Sequence, residues 1–471
     1  MTAWSLCYPV HYLSNLYLRC HVGFPRPYPQ TLPRRQKQIK EMSSRYRVEY
    51  HLKAHRKDVF IEWIKGLLAV PFVLHAVSQD EDTTREARAR YAEIFRDIEV
   101  LVDEKLQFDL QDEQENDLHM SYSRLDQLVP GIGCFFTPLP LKQAFFLEDK
   151  KRAISSRRMV SPSFNDIRQV LNTAQILHLA EAKGSLKLVT FDGDVTLYED
   201  GGSITPQNKV ISRIVALLKR DINVGVVTAA GYDEAIKYVE RLHGLVEALQ
   251  VEKSLTLAQK RCLTIMGGES NYLFQYFEKD GVAGFVSVPD EKWMPSRMTS
   301  WSTHDMKATL DLAQLTLEDL KAKLNLPPET TIVRKPRAVG IVPGFREDGE
   351  TARLIRVRLF REQLEEMVLT VQRKLENFAP ARRIQFSCFD GGSDVWCDIG
   401  GKDLGVKILQ QFYNKSTPIK PHETLHIGDQ FAPLGSANDF KARLAGCTLW
   451  IASPEETVTA LDDLLRLLDN N

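Results

Sequence analysis

Hydrophobic positions change their period along the chain. Over Asp58–Leu68 they fall at Phe60, Ile61, Ile64 and Leu67 or Leu68, and over Thr84–Gln107 at Ile94, Phe95, Ile98, Leu101 and Leu106. Spacings of three and four residues place them on one face of a helix, and core packing is the ordinary account of such a stripe. Gln111–Leu118 reads as an acidic connector, Leu128–Pro140 as a Pro/Gly/Phe-rich turn region, and Ser161-Pro-Ser-Phe-Asn-Asp166 as a helix start. At Leu186 the pattern becomes a continuous β-rich run to Phe191. A helix follows over Pro206–Arg220, apolar at Val210, Ile211, Ile214, Leu217 and Leu218, then a buried strand over Ile222–Thr228 and a further helix from Asp233. Strand–helix–strand alternation specifies βαβ units and a parallel sheet, so Thr228 should end a strand beside the one that ends at Asp192.

From Ala235 to Asp390 the alternation loosens. Strand-like pieces at Cys262–Met266, Val282–Val288, Thr331–Val333, Val339–Val342 and Ile384–Phe389 mix with helices near Met306–Leu324 and Arg356–Asn377, which predicts a separate α+β module. Asp398-Ile-Gly-Gly-Lys402 then reads as a Gly-rich turn opening an amphipathic helix. His422-Glu-Thr-Leu-His-Ile-Gly428-Asp429 reads as a strand ending in Gly-Asp, with Ser436-Ala-Asn438-Asp439 opening another turn and helix. The first sheet is thus resumed after a long insertion. The expected division is 1–41, 42–184 (helical), 185–234 (core), 235–390 (insertion) and 391–471 (core).

Composition narrows the class. The chain has 471 residues, 43% hydrophobic and 26% charged, and its 61 Lys and Arg nearly balance 62 Asp and Glu, so no charge excess points to nucleic acid or an anionic membrane. The longest apolar run, Gly66–Val77, contains Pro71 and His75 and falls short of the ~20 residues a membrane helix needs. Seven cysteines without a Cys-x-x-Cys pair fit a reducing compartment, the cytoplasm being the expectation. Residues 1–40 differ from the rest, with no Asp or Glu and five prolines. They lack the apolar core of a secretory signal, and their prolines spoil the amphipathic helix of a mitochondrial presequence, so residues 1–41 are read as a dispensable extension.

Candidate chemistry gathers at the strand ends: Asp192 and Asp194 in Asp192-Gly-Asp-Val-Thr196, Thr228, Lys402, and Asp429 with Asp439. Ligands of open α/β sheets bind at these edges. A short Asp-x-Asp-x-Thr is by itself often a surface turn, and Lys407 is an alternative to Lys402, which the preceding Gly400-Gly401 turn favours. Two look-alikes fail. His422-Glu-Thr-Leu-His426 spells a zinc-protease pattern but reads as a strand rather than a helix, and Gly401-Lys402 lacks the first glycine and the Ser/Thr of a P-loop.

The order and contexts of these signals resemble the four motifs of the haloacid dehalogenase superfamily, whose insertion between the second and third motifs is a substrate-covering cap. Met42-Ser-Ser-Arg-Tyr-Arg-Val-Glu-Tyr-His-Leu-Lys, Ser161-Pro-Ser-Phe-Asn-Asp, Asp192-Gly-Asp-Val-Thr-Leu-Tyr-Glu-Asp-Gly and Cys397-Asp-Ile-Gly-Gly-Lys-Asp-Leu-Gly together resemble the IMP-specific 5′-nucleotidases of fungi and apicomplexan parasites. The resemblance implies an α/β fold: a haloacid-dehalogenase-like Rossmannoid core with an inserted α+β cap and an N-terminal helical domain. It also implies Mg²⁺-dependent conversion of IMP to inosine and phosphate.

A carboxylate nucleophile divides the displacement into two easier steps, with Asp192 the first choice. Asp194 is placed to give a proton to the leaving oxygen and take one from water. By the resemblance, Asp192, the Asp194 carbonyl and Asp429 would hold Mg²⁺. Lys402 and Thr228 would bind the phosphoryl oxygens, Asp200, Ser393 and Asp394 would contact nucleotide, and Asn438 and Asp439 would stand behind. ATP activation and a homotetramer are implied too, with Lys151, Arg152, Arg157, Arg158 and His178 as candidate effector residues. The competing readings are a sugar-phosphate phosphatase or phosphomutase of the same superfamily, and a non-catalytic nucleotide sensor.

Overall fold

A computed structural model gives the structure of the chain and describes residues 58–77, 82–115, 122–181, 184–347, 353–432 and 438–470. The expectations for residues 1–41, for Met42–Lys53 and for Ser436 lie outside these residues.

The helical periodicity near the start becomes helices Val59–Val77, Asp82–Glu115, Leu141–Arg152 and Phe164–Glu181. Gln111–Glu115, expected as a connector, continues the second of these helices. Glu, Gln, Asp and Leu are all tolerated in helices, so acidity alone does not end one. Ser163 starts the last helix, its hydroxyl and the Asp166 carboxylate bonding each other and the backbone of the first turn. The apolar faces form one cluster with Phe431 and Trp450.

Strands β1 (Leu188–Phe191), β2 (Asn223–Val227), β3 (Leu263–Gly267), β4 (Tyr272–Lys279) and β5 (Val282–Ser287) join β12 (Thr424–Gly428) and β13 (Cys447–Trp450) in one seven-stranded sheet. Its order is β13-β12-β1-β2-β3-β4-β5. The first five strands in that order run parallel, and β4 and β5 extend the sheet as an antiparallel meander. Parallel strands covered on both faces are apolar throughout, which is why β1 reads as an unbroken run.

A second sheet, β10-β11-β7-β6, consists of β6 (Thr331–Lys335), β7 (Ala338–Val342), β10 (Phe386–Asp390) and β11 (Val395–Ile399), all antiparallel. Helices Thr303–Lys323 and Arg361–Glu376 pack on it. A small hairpin pairs β8 (Phe345–Glu347) with β9 (Leu354–Arg356).

The insertion expected over 235–390 therefore divides differently. β3, β4 and β5 belong to the large sheet, and β11, expected in the resumed core, belongs to the smaller one. Helix Arg361–Glu376 begins after Arg356, which β9 takes up. Val395-Trp-Cys-Asp-Ile399 has every alternate side chain turned to one face, and Cys388 lies opposite Cys397 across the β10–β11 ladder. The Gly400-Gly401 turn beyond it drew the sequence reading away from this strand.

Candidate active site

β1 and β12 are parallel neighbours, with Phe191 opposite Ile427 and the Asp192 amide bonded to the Ile427 carbonyl at 2.9 Å. The residues that follow each strand, Asp192 and Asp429, consequently emerge side by side. β2 flanks β1 on the other side and ends just before Thr228. Lys402 is the first residue of helix Lys402–Tyr413 and is fully buried.

Its ammonium stands 2.8 Å from Asp192 Oδ1 and 2.6 Å from Asp439 Oδ1. Asp439 Oδ1 also lies 3.0 Å from His426 Nε2, and its Oδ2 accepts from the Gln430 amide at 2.9 Å. Three donors hold Asp439 as an anion, with its pKa below the ordinary carboxylate range although burial works the other way. His426 is buried, and burial holds its pKa down. A neutral ring that donates from Nε2 to Asp439 accepts at Nδ1, here from the Thr190 hydroxyl 2.9 Å away. Gly428 permits this packing, because a Cβ there would come within 2.4 Å of Asp439 Oδ2.

Burial drives the Asp192 carboxyl upward, opposed by Lys402 and reinforced by Asp439. Among the described residues, Asp192, Asp429 and Asp439 each offer an oxygen within 4.8 Å of the others. With Asp439 already held by Lys402, His426 and Gln430, the cluster has more carboxylate charge than cation. An all-oxygen donor set of this kind suits a hard divalent cation. Asp429 is steadied from behind, the Trp450 indole donating to its carbonyl at 2.7 Å.

Asp194 faces elsewhere. Its Oδ1 accepts from the Gly201 amide at 2.8 Å and lies 3.8 Å from Arg241. The intervening turn holds Val195 at φ 60°, a left-handed conformation costly for a β-branched residue. Thr228 Oγ1 accepts from the Ala230 amide at 3.1 Å, which leaves its hydroxyl hydrogen to donate elsewhere.

The other expected contacts arrive from the smaller sheet. The β10–β11 turn carries Ser393 and Asp394, and Gly392 within it sits beside Asp200. Asp394 is raised by burial and feels the charges of Asp200 and Asp194, so the turn overhangs the Asp194 side of the site.

The candidate effector cluster is only partly a free cationic surface. Lys151 pairs with Glu148 and Asp463, Arg152 with Glu148, and Arg157 with the helix-capping Asp166. Asp463 is distant in sequence and Glu148 lies one turn earlier on the same helix face, and these carboxylates neutralise charge that looked available. Arg158 follows them in the same turn, half-buried. His178 lies near the opposite end of helix Phe164–Glu181, where its charged neighbours are Glu181, Asp103 and His422.

Several contributors escaped the sequence reading. Glu269, fully buried at φ 66°, accepts from Asn438 at 3.1 Å. Asn271 donates to the Ile399 carbonyl at 2.6 Å, and Ser270 Oγ packs where a Cβ of Gly400 (φ 103°) would stand. These three residues clasp the joint that leads to Lys402. Their signal was Gly267-Gly268 followed by three polar residues at a strand end. His426, dismissed as a zinc ligand, is the support of Asp439.

Fold and cluster together define a phosphoric monoester hydrolase with a haloacid-dehalogenase-like core. A family model described as IMP-specific 5′-nucleotidase matches residues 42–461. IMP-specific 5′-nucleotidase 1 of Saccharomyces cerevisiae is 60% identical over 448 residues, spanning 90% of this chain and 100% of that protein. Its counterpart from Kluyveromyces lactis is 62% identical over 427 residues, spanning 91% and 100%. Among solved structures, the IMP-bound, N-terminally truncated IMP-nucleotidase of Plasmodium falciparum matches with a TM-score of 0.69 at 30% identity, over 88% of this chain and 97% of that one. The ATP-bound Plasmodium falciparum enzyme matches with a TM-score of 0.69 at 30% identity, over 92% and 90%. The chain belongs to the IMP-specific 5′-nucleotidase family.

Proposed function

We propose that this protein hydrolyses IMP to inosine and phosphate through a phosphoryl group carried on Asp192. The observation that supports this most is the buried Asp192–Lys402–Asp439 chain beside Asp429, in a family whose members are named for that substrate. Asp192 attacks the phosphorus of the 5′-monoester while the bond to the nucleoside oxygen breaks, and Asp194 gives that oxygen its proton. Asp194 then takes a proton from the water that displaces Asp192, which releases phosphate. Lys402 and the Thr228 hydroxyl hold phosphoryl oxygens. Asp192, the Asp194 carbonyl and Asp429 would hold Mg²⁺, which when bound supplies charge for the phosphoryl oxygens and for the crowded carboxylates. Asp439 keeps Lys402 in place, with Asn438 tied to Glu269 behind it.

Asp200, Ser393 and Asp394 line the nucleoside side, with the smaller sheet acting as the cap. ATP activation and a homotetramer belong to the same reading; an ATP-bound relative supports the first. The test is phosphate release from a panel of nucleoside monophosphates and hexose phosphates, with Mg²⁺ and with or without ATP. Preferential release from IMP, abolished in Asp192→Asn, is expected. Equal or better turnover of hexose phosphates would replace IMP with a sugar-phosphate substrate, and no release from any of them would favour a nucleotide sensor.

A further inference from the structure

We propose that Thr190 and His426 are positioning residues for the phosphoryl transfer: the hydroxyl fixes the tautomer of the imidazole, and the imidazole turns Asp439 so that Lys402 meets the phosphoryl oxygens. This rests on the nucleotidase reading above and extends its machinery behind the residues that touch substrate. Thr190 on β1 and His426 on β12 lie directly opposite each other on adjacent strands, and both are fully buried. The strand positions on either side of them, Val189, Phe191, Leu425 and Ile427, are apolar. A buried hydroxyl and a buried imidazole carry a desolvation cost that a pair of apolar side chains in the same place would avoid. What this pair supplies instead is a chain of hydrogen bonds that ends on the nucleophile.

Thr190 Oγ1 lies 2.9 Å from His426 Nδ1, and His426 Nε2 lies 3.0 Å from Asp439 Oδ1. The same Asp439 oxygen stands 2.6 Å from the Lys402 ammonium, which stands 2.8 Å from Asp192 Oδ1. A carboxylate only accepts, so Nε2 must carry the hydrogen, and Nδ1 of the neutral ring is left with a lone pair for the Thr190 hydroxyl. Phe431 packs edge-on to the imidazole, with ring centres 6.0 Å apart, and holds its plane. Loss of the hydroxyl frees the ring to carry its hydrogen on Nδ1 instead, and a bare Nε2 lone pair then repels Asp439 Oδ1. The other Asp439 oxygen accepts from the Gln430 amide, so the amide and the imidazole together set the rotation of the carboxylate. Asp439 in turn presents Oδ1 to the ammonium in one orientation. An error in the place of Lys402 costs most where charge develops, in the transition state.

The test is steady-state phosphate release from IMP with Mg²⁺. His426→Leu removes the donor to Asp439, whereas His426→Gln keeps one, since the Gln amide nitrogen reaches nearly the place of Nε2. The Leu variant is expected to lose about 10- to 100-fold in kcat with KM within about twofold, the pattern of an interaction made in the transition state. The Gln variant is expected to stay within about threefold of wild type. Thr190→Val, which keeps the shape of the side chain without its hydroxyl, is expected to lower kcat by about 3- to 10-fold, and Thr190→Ser to restore it. The threonine variants decide the matter if His426→Leu does not fold. Equal losses in Leu and Gln, or in Val and Ser, or a loss carried by KM alone, would mark the pair as core packing and overturn the proposal. So would an unchanged kcat in both His426→Leu and Thr190→Val. A wild-type protein that releases no phosphate from IMP would refute the nucleotidase reading and this proposal with it, an outcome the variants alone do not produce.

Discussion

Lys402 is buried between two carboxylates, and a double-mutant cycle on it tests the centre of the site. With Nζ 2.8 Å from Asp192 and 2.6 Å from Asp439, and no exposure of the lysine or of Asp439, solvent screens neither contact. Removing one partner of such a pair costs about 3–5 kcal/mol, because the other charge remains buried without compensation. Lys402→Met leaves Asp192 and Asp439 facing each other, and Asp439→Asn leaves the ammonium with Asp192 alone. Each single change should therefore destabilise strongly. The double variant Lys402→Met/Asp439→Asn removes both charges, and should lose less than the two singles together by about 2–3 kcal/mol.

The assay is urea unfolding followed by tryptophan fluorescence, each variant being compared with wild type at one pH and salt concentration. Activity separates the structural role from the chemical one. Both variants that lack Lys402 should lose at least about 10²-fold in kcat, because restored stability does not restore the cation at the phosphoryl oxygens. Additivity of the stability losses to within about 0.5 kcal/mol would refute the direct coupling of Lys402 to Asp439. A double variant that regained turnover would refute the phosphate-binding role.

Glu269 and Asp398 are fully buried, and burial pushes them up to about 8 and about 7. Both keep protons that an unfolded chain releases near pH 4, so their contribution is full below that pH and declines as pH rises through about 7 to 8. Thermal unfolding of metal-free protein between pH 5 and 8 should show this decline, and Glu269→Gln/Asp398→Asn should flatten it; an unchanged slope would count against the assignment. Asp429→Asn should raise the Mg²⁺ concentration needed for half-maximal phosphate release by about tenfold or more, as expected for loss of one charged ligand. An unchanged Mg²⁺ titration would remove Asp429 from the ligand set. Asn172→Ala strips two buried hydrogen bonds from Trp450 and should cost about 1–3 kcal/mol in urea unfolding, a loss that Asn172→Ser should only partly recover.

What the sequence revealed and what it concealed follow from contact range. β1, β2 and β12 were legible because a parallel strand covered on both faces is a short apolar run, and reactive groups at its end stand out as polar residues in an apolar context. Lys402 was legible because two glycines precede it. β4 and β11 were not: β4 pairs with its sequence neighbours β3 and β5, and β11 with its neighbour β10 and the more distant β7, and only pairing assigns a strand to one sheet rather than the other. The same holds for charge. Lys151 reads as free charge because Asp463 meets it only in three dimensions, whereas Glu148, three and four residues before Lys151 and Arg152 on the same helix, is a partner their spacing already offers. Tyr232 and Lys335 carry no local signal, being single residues that meet only when the smaller sheet folds onto the larger one.

That dependence on packing extends from the helical layer into the site. Asn172, on helix Phe164–Glu181, makes hydrogen bonds to both the amide and the carbonyl of Trp450, and Arg168 on the same helix reaches that carbonyl and Glu456. Trp450 in turn holds the Asp429 carbonyl through its indole. Asp58, which caps the first described helix, pairs with Arg443 at 2.7 Å, and Arg443 belongs to the short helical turn that starts at Asp439. Two carboxylates of the cluster are thus each one residue removed from the N-terminal helices, Asp429 through Trp450 and Asp439 through its own turn. A shift of those helices of a few tenths of an ångström cannot be absorbed by a close-packed interior without moving one of these contacts. The helices that the sequence sets apart as an N-terminal domain are, physically, the back wall of the carboxylate cluster.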